Sequence, residues 1–199
     1  MSSEARWVLS KVPHRGGAAL DLGGGDGRLH APLTARGYTY VNLDITPSGP
    51  CAVRGDAHDI PFPQSSFDLV VSCDSLEHFH DPLTVLGEVQ RVLKPGGTLV
   101  IWVPFLHPFH STDYYRYTPL GIRYLLSTAR LQLVSLEAPL GVFSVVGQAV
   151  VAELWRLRLA RLQRAVERAA EWLDRKARRM QSGGSFALAY LIVARKADD

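Results

Sequence analysis

Four glycines crowd one short stretch of this chain, Asp21-Leu22-Gly23-Gly24-Gly25-Asp26-Gly27. A strand-to-helix turn this rich in glycine lets a ligand come close to the backbone and tolerates positive φ. A helix after it offers free N–H groups and the positive end of its dipole. One reading is a purely structural turn. Another is a dinucleotide site, but that fingerprint is GxGxxG, whereas Gly23, Gly25 and Gly27 give GxGxG, with Arg28 where the third glycine belongs. No GK[ST] follows, so a triphosphate loop of the Walker type is excluded. Asp44 lies about 20 residues on, where a carboxylate can accept both hydroxyls of a ribose. That placement supports an adenosine-bearing ligand without choosing among them; a strand-end turn is the plainer role.

Histidines form a second concentration of chemistry. Glu77-His78-Phe79-His80-Asp81 is one group, and His107 and His110, followed by Asp113-Tyr114-Tyr115-Arg116-Tyr117, is the other. Each has a carboxylate close by that can orient an imidazole, and histidine suits a general base at neutral pH. His110, His78 and His107 are therefore the candidate catalytic residues. His110, Tyr114, Tyr115 and Arg116 are candidates for substrate contact. Arg116 suits an anionic group held by two N–H donors, or equally a clasp with Asp113. Packing is the competing role for every histidine and tyrosine named. Nothing fixes a metal-ligand geometry, so no metal is expected.

The elements that must position these residues alternate between strand and helix patterns, which predicts an α/β fold with a mainly parallel sheet. Ala18–Leu22, Thr39–Asp44, Cys51–Arg54, the run at 67–72 and TLVIWV at 98–103 read as strands. Leu29–Arg36 and Pro82–Leu93 read as helices, the second stopped by Pro95-Gly96-Gly97. Residues 104–118 read as a loop, Pro119–Thr128 as a helix and Leu131–Leu136 as a strand. The region 145–181 is helix-type, and Phe186–Ala194 is a last strand.

Composition is that of one ordinary globular domain: 199 residues, 47% hydrophobic and 21% charged. A net charge of +3 is too small to suggest a nucleic-acid partner. Cys51 and Cys73 form no metal-type pair. Neither a signal peptide nor the roughly 18 consecutive apolar residues of a membrane span is visible, so a cytoplasmic protein is expected.

The stretch Asp21-x-Gly23-x-Gly25-x-Gly27 resembles the D/E-x-G-x-G-x-G signature of class I S-adenosylmethionine-dependent methyltransferases. FDLVVSCDSLEHFHDP, residues 67–82, is similar to the LEHxxDP pattern of the small-molecule branch of that family. Arg91-Val92-Leu93-Lys94-Pro95-Gly96-Gly97 resembles its RVLKPGG turn. Order and spacing agree over residues 15–105. The resemblance implies a Rossmann-like, seven-stranded, mainly parallel sheet with helices on both faces and an antiparallel last strand. It implies S-adenosyl-L-methionine as cofactor, bound by Asp21, Leu22, Gly23, Gly24 and Gly25, by Asp44 and Ile45, by Asp56 and Ala57 at the adenine, and by Cys73 and Asp74. Asp21 suits the ammonium of that ligand. Residues 107–118 resemble an H-xx-D-(Y/F)-x-R-(Y/F)-T stretch of bacterial methyltransferases. Cys73-Asp74-Ser75-Leu76 is not the (N/D)PP(Y/F) of amino-directed DNA enzymes, no Pro-Cys nucleophile pair occurs, and the lysine-rich tetrad of ribose methylases is absent.

The expected function is methyl transfer to a small or medium-sized molecule, at a hydroxyl of a sugar, lipid-linked compound or natural product, or at an amine. A nicotinamide-dependent oxidoreductase and a non-catalytic cofactor-binding module are the alternatives. Residues 145–181 read as a helical insertion between the last two strands. Val151, Trp155, Leu159, Leu162, Val166, Ala169, Leu173 and Met180 form its apolar stripe, beside many arginines only partly offset by Glu153, Glu167, Glu171 and Asp174. Such a helix lies on its own domain, pairs with a copy in a homodimer, or contacts an anionic membrane surface or lipid-linked substrate, which would place the protein at the inner membrane face.

Overall fold

The computed structural model describes residues 2–109, 112–156, 160–178 and 186–198. Seven strands form one sheet: β1 (Gly17–Leu22), β2 (Tyr38–Asp44), β3 (Ala52–Arg54), β4 (Phe67–Cys73), β5 (Leu93–Pro104), β6 (Leu131–Leu140) and β7 (Ala189–Lys196). Their order is β3-β2-β1-β4-β5-β7-β6. Strands β3 to β5 in that order pair in parallel, while β7 runs antiparallel to both β5 and β6. The order reverses between β1 and β4, and open α/β sheets bind ligands outside the carboxyl ends of strands at such a switch. The glycine stretch leaves β1 at that point.

Side-chain alternation divides the core. Leu20, Leu22, Val70, Leu99 and Ile101 face one side, where they meet helices α3 (Pro82–Val92) and α4 (Pro119–Thr128). Ala19, Leu69, Val71, Val100 and Trp102 face the other, where they meet helix α1 (Ser3–Lys11) and Leu33 of the short helix α2 (His30–Thr34). Each fully buried leucine contributes roughly 1.5–3 kcal/mol. The caps follow local chemistry: Asp81 accepts from Thr84 N at 3.2 Å, Thr118 from Gly121 N at 3.1 Å, and proline opens both α3 and α4.

Helix α1 was not among the expected elements. Ser2 caps it, and Ala5, Val8, Leu9 and Val12 give it a buried face. The Pro95-Gly96-Gly97 turn lies inside β5 as an irregularity: Phe67 pairs with Leu93, and Leu69 already with Thr98. Between β6 and β7 stand two helices, α5 (Val142–Arg156) and α6 (Ala160–Arg178), where one continuous region over 145–181 was expected. They pack antiparallel, since Ala170 lies against Gly147 and Asp174 against residues 141–144. Among the described residues no helix is long and apolar enough to cross a membrane.

Candidate active site

The turn after β1 is held from several sides. Gly23 N–H donates to Leu43 O at 2.8 Å, and Gly25 N–H to Asp44 Oδ2 at 2.9 Å. Asn42 Nδ2 donates to Gly25 O at 2.9 Å, and Ser75 Oγ to Gly23 O at 3.0 Å. Gly23 and Gly25 have φ of 71° and 50°, the left-handed region where a side chain is disfavoured. A Cβ on Gly24 would lie 2.5 Å from Asn42 Oδ1 and 2.7 Å from the Asp21 carboxyl.

Asp21 is buried, and its carboxylate accepts from Tyr40 Oη–H at 2.6 Å. Burial pushes its pKa up to about 6, against the lowering effect of that hydrogen bond. The carboxylate thus stands behind the turn. Asn42 and Tyr40 were not expected to matter; the only sign was polar side chains within an otherwise apolar strand.

A cavity of about 280 Å³ opens beside this turn. Of the expected cofactor residues, Gly23, Asp44, Ile45, Ala57 and Asp74 line it. Asp21, Leu22, Gly24, Gly25 and Cys73 do not line it. Leu43, Gly55, Ser75, Phe79 and Thr112 complete the lining without having been expected. Asp56 is turned to His58: its Oδ1 accepts from the His58 N–H at 2.9 Å and lies 2.6 Å from Nδ1. Those two contacts hold its pKa below the usual carboxylate range. Cys73 is buried, which pushes its thiol pKa up. Asp74 sits at φ 55° and pairs with Arg28 Nη2 at 3.3 Å; Arg28 also donates to Cys73 O at 3.1 Å.

A second cavity, about 460 Å³, shares Asp74 and His78 with the first. Its wall includes Glu4, Arg28, Trp102, His107, Leu140 and Leu188. His78 stands at the junction, with Nδ1 at 3.1 Å from Asp113 Oδ1 and 3.1 Å from Thr112 O. A proton on Nδ1 donated to Thr112 O, with Asp113 Oδ1 beside it as an ion-pair partner, leaves Nε2, 3.9 Å from Glu77 Oε1, as the acceptor nitrogen. Asp113 is buried and also accepts from Arg116 Nη2 at 2.7 Å. Arg116 lies over the Phe109 ring, 5.0 Å from its centroid. Arg116 is thus engaged in the clasp with Asp113 and lines neither cavity.

Tyr114 and Tyr115 line neither cavity. Their N–H groups donate to Glu77 O at 2.9 and 3.3 Å, and Tyr115 Oη–H donates to His80 O at 3.0 Å. Tyr117 Oη–H donates to Leu76 O at 2.9 Å. Together they tie the loop after β5 to the one after β4. Burial, with Asp74 and Asp113 nearby, pushes the Glu77 carboxyl up to about 8. His110 lies outside the described residues. No group of three His, Cys, Asp or Glu side chains among the described residues could hold a metal ion.

Residues 20–101 match the Methyltransferase domain family model. An uncharacterized methyltransferase of Mycobacterium sp. (strain KMS) is 36% identical over 125 residues, 56% of this chain and 50% of that protein. The chain spans about half the length of the curated relatives it matches. The crystal structure of an S-adenosylmethionine-dependent methyltransferase from Mesorhizobium loti has a TM-score of 0.66 at 20% identity, covering 97% of this chain and 98% of that one. Phosphoethanolamine N-methyltransferase 2 of Haemonchus contortus, in complex with S-adenosyl-L-methionine, also scores 0.66 at 17% identity, covering 98% and 52%. Over residues 20–101 the chain is thus similar to methyltransferase domains, and its fold is shared with solved S-adenosylmethionine-dependent methyltransferases.

Proposed function

We propose that the protein transfers a methyl group from S-adenosyl-L-methionine to a small or medium-sized acceptor. The observation that carries this reading is the pair of cavities that share His78 and Asp74 in their walls. The first fits the cofactor. Gly23 leaves room for close approach, the Asp44 carboxylate can accept ribose hydroxyls, and Leu43, Ile45, Ala57 and Phe79 offer apolar surface to a base. When bound, S-adenosyl-L-methionine supplies a methyl group activated by its sulfonium. The second cavity is the acceptor's place.

His78 serves as the general base, with Nε2 taking the acceptor's proton, Thr112 O holding the ring through Nδ1 and the Asp113 carboxylate standing beside it. His107, also in the acceptor wall, orients the substrate. Asp113 is itself held by Arg116, so Arg116 acts as a positioning residue. The acceptor atom is a hydroxyl, with an amine as the other form the same base can serve. Contact with a membrane or lipid-linked acceptor, through the helices between β6 and β7, belongs to this reading.

Thermal unfolding with S-adenosylhomocysteine and with NADH separates the cofactor classes, because a ligand of the native state raises Tm by mass action. S-adenosylhomocysteine should stabilise and NADH should not; the reverse would end the proposal. A methyl-transfer screen with labelled cofactor then separates an enzyme from a binding module.

A further inference from the structure

We propose that the outer face of the α5–α6 hairpin docks the protein on an anionic lipid surface. Helix α5 packs inward through Ser144, Gly147 and Val151, with Gln148 and Leu154 half-buried on the same side. Its opposite face is exposed and carries Val142, Phe143, Val146, Ala149 and Val150, interrupted only by Glu153 among the described side chains. An exposed arc of valine and phenylalanine over two turns is uncommon on a protein that stands alone.

Helix α6 shows the same mismatch between what is apolar and what is buried. Its buried arc is centred on Ala170 and Asp174, with Gln163, Glu167 and Ala177 half-buried along it. Its apolar arc runs through Leu162, Ala165, Ala169, Trp172 and Leu173, all exposed. At about 100° per residue the two arcs lie about a third of a turn apart. Because the helices are antiparallel and Gly147 faces Ala170 and Val166, the two apolar arcs adjoin on the side away from the sheet.

Charge selects the partner. Arg161, Arg164, Arg168 and Arg175 fall within about 60° of one another along the edge of that apolar arc, and all are exposed. Lys176 lies over the Trp172 ring at 4.2 Å. The acids of the hairpin are mostly turned elsewhere. Asp174 is buried as a cap for α5, Glu167 is half-buried, and Glu171 pairs with Arg175 at 3.8 Å. Apolar side chains flanked by arginines, with a tryptophan beside a lysine, suit the headgroup boundary of an anionic bilayer. Leu140, in the acceptor wall, ends two residues before α5 begins, so a docked hairpin would set that cavity beside the lipid. This link to catalysis rests on the methyl-transfer reading; the docking itself does not.

The test is flotation of the full chain with vesicles of phosphatidylcholine alone and of phosphatidylcholine with phosphatidylglycerol, at low and high salt. Binding should require the anionic lipid and weaken with salt. Arg164→Gln with Arg168→Gln should lower partitioning roughly 25-fold, from about fivefold per arginine. Val146→Asp should abolish binding while Tm stays within a few degrees, since Val146 is exposed. Absence of binding to anionic vesicles, or equal binding by both variants, overturns the proposal. So does sedimentation velocity that shows a dimer which Val146→Asp splits, because a second copy would then cover the face. Calorimetry with S-adenosylhomocysteine on the same samples separates the two claims: uptake without flotation refutes docking alone, and flotation without uptake refutes the cofactor reading alone.

Discussion

The three glycines after Leu22 do different jobs, and alanine substitutions should separate them. At Gly25 a Cβ would meet nothing within 4 Å, and only the φ of 50° opposes it. The left-handed penalty is about 1–2 kcal/mol, which lowers Tm by a few degrees in a chain this long. Gly25 is outside the cavity wall, so affinity for S-adenosylhomocysteine should stay within about threefold. At Gly23 the same penalty applies at φ 71°, and the Cβ would also lie 2.6 Å from Ser75 Cβ and Oγ. Ser75 is buried and its Oγ is tied to Gly23 O and Cys73 O, so it cannot swing aside. Overpacking adds about 1–3 kcal/mol, for a total near 2–5 kcal/mol. Gly23 lines the cavity, so Gly23→Ala should also weaken S-adenosylhomocysteine at least tenfold. Gly24→Ala has no φ penalty, but it drives a methyl into buried Asn42 and Asp21, and should destabilise as much as Gly23→Ala. Urea unfolding and calorimetry on the three variants read both quantities. If Gly25→Ala loses as much stability as Gly23→Ala, or Gly23→Ala keeps full affinity, the account of the turn is wrong.

Three further outcomes follow from the geometry. Asp174 accepts from the backbone N–H groups of Gly141, Phe143 and Ser144 at 2.8, 3.1 and 2.9 Å; Asp174→Ala should loosen the hairpin by about 2 kcal/mol. Hydrogen exchange would then quicken in α5 and α6 and stay unchanged in β4 and β5, and uniform exchange across the chain would refute that anchor. Glu77 has a folded pKa raised to about 8 from 4.5, so its contribution to stability is complete below the lower value and is lost as pH rises to the upper one. Wild type should therefore lose about 4 kcal/mol relative to Glu77→Gln between those pH values, and parallel pH-stability curves would contradict the burial argument. Once an acceptor is known, His78→Gln should slow transfer at least about 100-fold, and Asp113→Asn should shift the pH profile; unchanged profiles in both would remove the dyad from the mechanism.

The alternation of strands and helices and the glycine turn after the first strand were readable because glycine and aspartate mark strand ends in ways that local chemistry requires. Asp44 could be singled out from its distance to the glycines. What lines the cavity opposite it could not: Ser75, Phe79 and Thr112 come from loops whose approach depends on tertiary packing. Asn42 and Tyr40 needed the register of β1 against β2, which sets Asp21 level with Asn42. The hairpin shows the same limit. Periodicity marked Leu162, Ala169 and Leu173 as one apolar stripe, but a stripe does not say which neighbour covers it. Of the rest of that stripe, Val151 and Val166 are half-buried, while Leu159, Met180 and the Trp155 side chain lie outside what the structure describes. Asp174, counted as a surface counter-charge, is a buried cap, because its carboxylate reaches a helix start 30 residues earlier in the chain.

Titration calorimetry of S-adenosylhomocysteine against wild type and Asp44→Ala tests the central claim most directly. The Asp44 carboxylate lines the cavity and can accept two ribose hydroxyls, each such bond to a charged group contributing about 1.5–3 kcal/mol. One site should fill in the wild type, with affinity falling about 100-fold or more in Asp44→Ala. No uptake by the wild type, or equal uptake by both, would contradict the account.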